Sequence, residues 1–513
     1  MGKLNSESAG TALEGQRQPI DIGPTVGLLA RLTRATVNYG IGRILPKVIG
    51  FFLIPLYTVF LTPHDYGIVA LASSLSNCLV ILMRFGVPGA VTRFYFDHKE
   101  GTQLRDYIST IHHFLFVSSV TVGGLVLALL PFGIGRLIPG LPYYPYVPMV
   151  VIAAIARANS DLQRRLIQAR EQSSYSATLS VAFAVVSVAL AVFFVAVLRM
   201  AAAGLVLSTT ITAVLFCIQA QYYLRADIAG RFRLGMLRGS LGYAVGILPS
   251  HLINQAGPLV TQSVLSGLNS LGAVGLLSLA TRFMSPLRIA ASAFNAAYLP
   301  VYFSIRERAT AGGDEKLAAI VRTIWFLAAL GYLVVSLLGP ALIVLMTPAT
   351  YHGAARLLPV LGLRFLGNTA YFLLGAEIFY RKKTWILPLL TLTSMIVTLL
   401  ITFATAEEYG PLGVAWGMAA GNLTMAGLTT VISVLRFRRL YDWMGLLRTT
   451  ALVTAVTVTG LMLSGHAPWT DMAIGVSGVL LFCVVLWLLG DPTIEPAATA
   501  IQRRLTRGIL RLR

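Results

Sequence analysis

The sequence predicts an all-α, polytopic membrane protein of fourteen transmembrane helices, read as two similar sets of six with two more at the end. Three observations carry that class. Hydrophobic residues make up 56 % of the 513 residues and charged residues only 12 %. The apolar residues fall in runs of about twenty, the length that spans hydrocarbon at 1.5 Å per residue. Lys and Arg gather on one side of strictly alternating loops, as they do in cytoplasmic loops.

The elements follow in order. Residues 1–34 are polar, without an apolar stretch ending in a cleavage site, and read as a cytoplasmic N-terminal segment. The first half, 35–225, holds spans at roughly Ala35–Leu61, Tyr66–Gly86, Ile108–Leu130, Tyr146–Leu166, Tyr175–Leu198 and Ala201–Leu224. A cytoplasmic linker, 226–239, leads to the second half, 240–436. Its spans are Ser240–Leu265, Leu271–Phe303, Leu317–Met346, Ala355–Tyr380, Trp385–Ala404 and Tyr409–Val434. Residues 446–490 add Leu447–Ser464 and Met472–Leu489. The tail, 491–513, spaces Ile501, Leu505 and Ile509 four apart among arginines, which suits a helix lying on the inner leaflet.

With the N-terminus inside, inner segments carry triplets such as Arg164, Arg165 and Arg170, or Arg381, Lys382 and Lys383, while the outer loops hold Arg136 and Arg199. That bias places both termini in the cytoplasm. It also accounts for the net charge of +20 without nucleic acid, because the charge is spread through short loops rather than gathered on a soluble face. The three cysteines, Cys78, Cys217 and Cys483, lie in apolar runs, so no disulfide frame, metal site or cofactor is expected.

No enzyme signature is present: no phosphate-binding loop, no H-E-x-x-H and no G-x-S-x-G. The string Gly312-Gly313-Asp314-Glu315 has the letters of a nucleotide-cyclase motif but stands in a short inner loop with no room for that domain. The outer loops are also too short for a polymerase or ligase working on sugars. Tyr143, Tyr144 and Tyr146, near the membrane edge, fit an aromatic belt better than a sugar platform.

The unusual chemistry is positive charge inside the membrane. Arg43, Lys47, Arg84, Arg157, Arg282, Arg288, Arg322, Arg356 and Arg364 lie within spans or at their ends. A charge at the bilayer centre costs roughly 2.5 to 3.5 kcal/mol on insertion scales, so such residues face a bundle interior or a watery cavity. Arg43 and Lys47 share a helix face. Lys47 lies about 18 Å from its inner end, and Arg157, Arg282 and Arg364 about 14 to 17 Å from their outer ends, all near the midplane. Arg288 lies on the cytoplasmic side of the centre. Arg84, Arg322 and Arg356 are within reach of an interface and read as anchors.

Two acids lie within the spans. Asp161, four residues after Arg157 on the same face, is placed either to pair with it or to serve as a proton or sodium site for coupled transport. Glu377 precedes Arg381 by one turn and reads as an interfacial anchor or a second coupling residue. His112, His113 and His251 are further titrating groups.

An internal repeat links the halves. Tyr39-x-x-Gly42-Arg-Ile-Leu-Pro46 resembles Tyr243-x-x-Gly246-Ile-Leu-Pro249, and Tyr66-Gly67-Ile-Val resembles Leu271-Gly272-Ala-Val about 205 positions later. Gly42, Pro46, Gly246 and Pro249 are the expected hinges. Six spans separate the copies, so they run in the same direction, as in parallel-repeat transporters.

Two similar halves, two extra spans, a kinked cationic first span and the turn Thr62-Pro63-His64-Asp65-Tyr66-Gly67 together resemble the polysaccharide transporters of the multidrug/oligosaccharidyl-lipid/polysaccharide flippase superfamily, and more narrowly the Wzx-type oligosaccharide flippases. The resemblance covers roughly residues 30 to 490. It implies a V-shaped pair of six-helix lobes that alternates between inside-open and outside-open states in the bacterial inner membrane. It implies a cargo of undecaprenyl-pyrophosphate-linked oligosaccharide, with polysaccharide polymerase and chain-length proteins as partners alongside membrane lipid. The pyrophosphate would be held at Arg43, Lys47 and Arg282, to which depth and the repeat add Arg157, Arg364 and Arg288. Lipid II flippases and cation-coupled multidrug exporters of the same superfamily are the alternatives, with a membrane glycan polymerase or ligase behind them.

Overall fold

The computed structural model describes residues 40, 42, 44–97, 101–133, 137–245, 248–308, 312–383, 385–436, 442–465 and 467–489. Among them all regular structure is helical. Ten helices are long and apolar enough to cross a bilayer, beginning with Pro63–Arg84 and Thr102–Phe132 and ending with Trp443–Leu463 and Pro468–Leu488.

The expected spans that fall short of this measure are the first, fourth, seventh and eighth, and in each the reason is local. The helix Tyr146–Ala169 carries Arg157, Asp161, Arg164 and Arg165. The first run is interrupted at Leu53, between helical residues 44–52 and the helix Ile54–Phe60. The eighth divides at Met284 into Leu271–Phe283 and Ser285–Glu307. The seventh lies mostly in Leu248–Leu268, which is long enough but carries His251, Asn254, Gln255 and Gln262. Pro55 and Pro286 stand in the first turn after their breaks, where a fixed φ and a missing N–H are tolerated. Broken or charged helices are poor in lipid and well suited to lining a polar cavity.

Of the expected hinges, Pro46 sits inside the helical residues 44–52, and Pro249 is the second residue of Leu248–Leu268. Gly42 is helical and Gly246 lies outside the described residues. The visible break in the first span is thus nearer Pro55 than Pro46.

The start of Pro63–Arg84 is set by its turn. The Thr62 hydroxyl accepts from the Asp65 N–H at 3.2 Å, and the Asp65 carboxylate accepts from the Thr62 N–H at 3.0 Å, a reciprocal cap. Ser270 caps Leu271–Phe283 in the same way, accepting from the Ala273 N–H at 3.1 Å. These two helices cross at their capped ends. Gly67 meets the Leu271 carbonyl and Gly275 the Pro63 carbonyl so closely that a Cβ on either would run into the facing backbone. Positions 62, 63 and 67 thereby answer to 270, 271 and 275, one shift of 208. Packing fixes a register three residues from the 205 suggested by matching letters.

The crossing lies on the side that loop charge assigns to the outside, and there the halves share one buried cluster running from Ile54, Tyr66 and Leu71 to Leu277, Tyr351 and Phe482. Toward the other side the core separates. One cluster holds Val87, Tyr107, Ile111, Leu166 and Leu237; another holds Tyr298, Tyr302, Val321 and Leu373. The halves therefore share one core at the first end and hold separate cores at the other, where the start of the second half, Ser240, Tyr243 and Ala244, packs on the first through Tyr107 and Phe94. The segment between them is fastened to the first half: the Asp106 carboxylate accepts from the Arg231 N–H at 2.8 Å and from Arg233 Nε at 2.6 Å, and Ser109 donates to the Gly230 carbonyl at 2.8 Å.

Candidate functional site

Arg282 stands in the last turn of Leu271–Phe283. Its guanidinium carbon lies 4.9 Å from the centre of the Tyr66 ring, in the opposite half. Tyr66 is fully buried and meets Tyr351 edge to face at 5.9 Å. Tyr351 in turn donates to the Leu61 carbonyl at 2.7 Å. Phe51 packs edge-on against Phe283 at 5.4 Å, which brings the first span beside the eighth. One turn before Phe51, Lys47 is exposed. Arg43 lies outside the described residues.

Arg157 donates to Ser76 Oγ at 3.1 Å and to Asn77 Oδ1 at 3.0 Å. It lines a pocket of about 110 Å³ between Pro63–Arg84, Tyr146–Ala169 and Ala201–Leu224. Arg288 and Arg364 line a larger cavity of about 350 Å³ together with Asn295, Asn368 and Asn422. Arg364, Asn368 and Asn422 also border a pocket of about 160 Å³ that reaches Asn254. The structure thus brings Arg288 and Arg364 together in the second half and leaves Arg157 in a separate pocket in the first.

Among the described residues, Arg157, Arg282, Arg288 and Arg364 make no ion pair. Arg157 donates to a hydroxyl and an amide, Arg364 to the Met418 thioether, and Arg282 meets a ring face, while Arg288 lines the amide-bearing cavity. Arg84, expected as an interfacial anchor, is instead mostly buried and pairs with Asp161 at 3.4 Å while donating to the Arg157 carbonyl at 2.7 Å. Asp161 is further approached by Arg164 at 3.8 Å and Arg165 at 3.7 Å. Its ion pairs therefore run to Arg84 and the inner end of its own helix, not to Arg157. Glu377 is 1 % exposed, accepts from the Tyr302 hydroxyl and from Arg381 Nε at 2.7 Å, and faces Arg306 at 3.9 Å. It is a buried tie between helix ends rather than an interfacial group.

The residues missed by sequence reasoning are the polar neighbours: Tyr66, Ser76, Asn77, Asn295, Asn368 and Asn422. Their signal was present, since Asn368 follows Arg364 by one turn and Asn295 follows Arg288 by two. A carboxamide inside an apolar run needs a partner as much as a charge does.

Two parallel-related halves that share a buried core, broken helices and arginines lining polar pockets within the bundle define a polytopic membrane protein with an internal cationic cavity. The solved structures agree on the fold. The lipid II flippase MurJ, in an inward closed conformation, matches with a TM-score of 0.67 at 13 % identity, over 88 % of this chain and 99 % of that one. An inward-facing multidrug resistance transporter of the MATE family, in the MOP superfamily, gives 0.62 at 14 % over 79 % and 98 %. The Vibrio cholerae MATE transporter VcmN gives 0.51 at 16 % over 81 % and 98 %. No curated protein sequence matches this chain. Residues 32–306, more than half of the chain, match the polysaccharide biosynthesis protein family, and the chain belongs to that family.

Proposed function

We propose that this protein carries an undecaprenyl-pyrophosphate-linked oligosaccharide across the bacterial inner membrane by alternating access, with both termini in the cytoplasm and no chemical step of its own. One observation supports this reading above the others: four arginines at membrane depth have no acidic partner among the described residues. Unpaired cations at membrane depth are costly, and a polyanion brought by the cargo repays that cost. Guanidinium groups grip phosphate through paired hydrogen bonds. The amide-rich cavity of Arg288 and Arg364 has the donors and acceptors a glycan needs. Polymerase and chain-length proteins would take the delivered cargo on the outer side.

The test is movement of a fluorescent lipid-linked oligosaccharide in proteoliposomes, scored by quenching with external dithionite. Arg157→Ala, Arg282→Ala and Arg364→Ala are each expected to slow it at least tenfold, because a hydrogen bond to a charged group contributes about 1.5 to 3 kcal/mol. Equal movement of lipid II would assign the lipid II-type activity instead. Transport of an amphipathic cation driven by a proton or sodium gradient, without movement of either lipid, would assign the exporter.

A further inference from the structure

Tyr66 carries the argument further. It lies one residue from Gly67, where the backbones of the two halves touch, and its ring is the surface on which Arg282 rests. The ring is fully buried, yet its hydroxyl has no hydrogen-bond partner. A buried tyrosine usually finds one. The contact to Arg282 is thus made by the face of the ring alone. Side chains on a helix lean toward its N-terminus, and the N-terminus of Leu271–Phe283 is at the crossing, so Arg282 reaches back along its helix toward the closed end.

We propose that Tyr66 is a positioning residue that couples cargo to the closed end of the cavity: its ring holds Arg282 across the seam while the cavity is empty, and a phosphate that draws Arg282 away loosens the seam. The inference rests on the reading that Arg282 meets the phosphate of the cargo. A ring and a phosphate cannot share one guanidinium equally, so binding at one weakens the other, and linkage requires that loss of the ring strengthens phosphate binding. A merely structural tyrosine has no such effect. A desolvated cation–π contact shifts an equilibrium by tenfold or more, roughly 30-fold at the upper end.

The experiment places a reporter at Ser266, which donates to the Pro139 carbonyl at 2.6 Å across the same seam. Ser266→Cys is introduced with Cys78→Ala, Cys217→Ala and Cys483→Ala, and a membrane-impermeant maleimide is applied from outside. Undecaprenyl pyrophosphate is expected to accelerate labelling of this parent. Tyr66→Leu is expected to label about tenfold faster without ligand, to bind undecaprenyl pyrophosphate more tightly and to transport more slowly. Tyr66→Phe is expected to restore the parent's behaviour, since the hydroxyl contributes no bond. Parent-like labelling of Tyr66→Leu, weaker binding by it, or Tyr66→Phe behaving as Tyr66→Leu would each refute the coupling. If Tyr66→Leu does not fold, Arg282→Gln cuts the same contact from the other side, and unchanged ligand-free labelling there also refutes it. Failure of undecaprenyl pyrophosphate to bind the parent sinks the cargo reading, while the ligand-free comparison still decides the contact.

Discussion

An arginine inside a membrane has to be answered by something, and here the answers are of two kinds. Arg84 is answered by Asp161, at 3.4 Å. Arg157, Arg282 and Arg364 are answered by an amide, a hydroxyl, sulfur or a ring face, and Arg288 lines the polar cavity. Asp161→Asn is therefore expected to act on stability: it leaves a mostly buried guanidinium unpaired, at a cost of roughly 3 kcal/mol, and thermal unfolding in detergent should show a drop of several degrees. Glu377→Gln, beside Arg306 and Arg381, should behave in the same way. Arg364 is expected to act on transport. Arg364→Lys should recover only part of what Arg364→Ala loses, because an ammonium keeps the charge but not the planar pair of donors, and initial rates at saturating cargo will show the order. The sequence could rank these residues by depth but not by partner. Depth follows from counting at 1.5 Å per residue, whereas the partner of Asp161 depends on the rotation of another helix.

At the scale of elements, the organising feature is the crossing of Pro63–Arg84 with Leu271–Phe283. Its parts were visible as letters: the Thr62-Pro63-His64-Asp65 turn is a helix start that can be read directly, and Gly67 and Gly275 are small residues at an interface. What could not be read was that both glycines touch carbonyls of the opposite half, since matching Tyr66-Gly67 to Leu271-Gly272 gives a register three residues away. Gly67→Val and Gly275→Val are each expected to force the seam apart and raise external labelling of the Ser266→Cys reporter. By the shift of 208 the two effects should be of similar size. The breaks at Leu53 and Met284 were signalled by Pro55 and Pro286, each two residues on. Pro46 carried the same signal without a break, because a proline loosens a helix and leaves the outcome to its neighbours.

For the whole molecule, the helical, membrane-spanning fold was legible because bilayer thickness fixes the length of each apolar run. The segments that escaped the simple count, 146–169, 234–268 and 271–307 among them, carry part of the polar lining, Arg157, Asn254, Arg288 and Asn295, while Arg364, Asn368 and Asn422 stand on helices that meet it. Less legible was the division of the cations. Arg157 and Arg364 stand 207 positions apart, close to the repeat offset, yet one lines a pocket of about 110 Å³ in the first half and the other a cavity of about 350 Å³ in the second. The asymmetry leaves the larger polar space in the second half, and it makes the charge of the cavity, rather than its symmetry, the central claim. The most direct measurement is the rate at which proteoliposomes holding Arg157→Gln, Arg282→Gln and Arg364→Gln in one chain move a fluorescent lipid-linked oligosaccharide. The account predicts a rate at the level of protein-free liposomes from a protein that keeps the parent's thermal stability. A folded triple variant that moves the lipid at the parent's rate would contradict it.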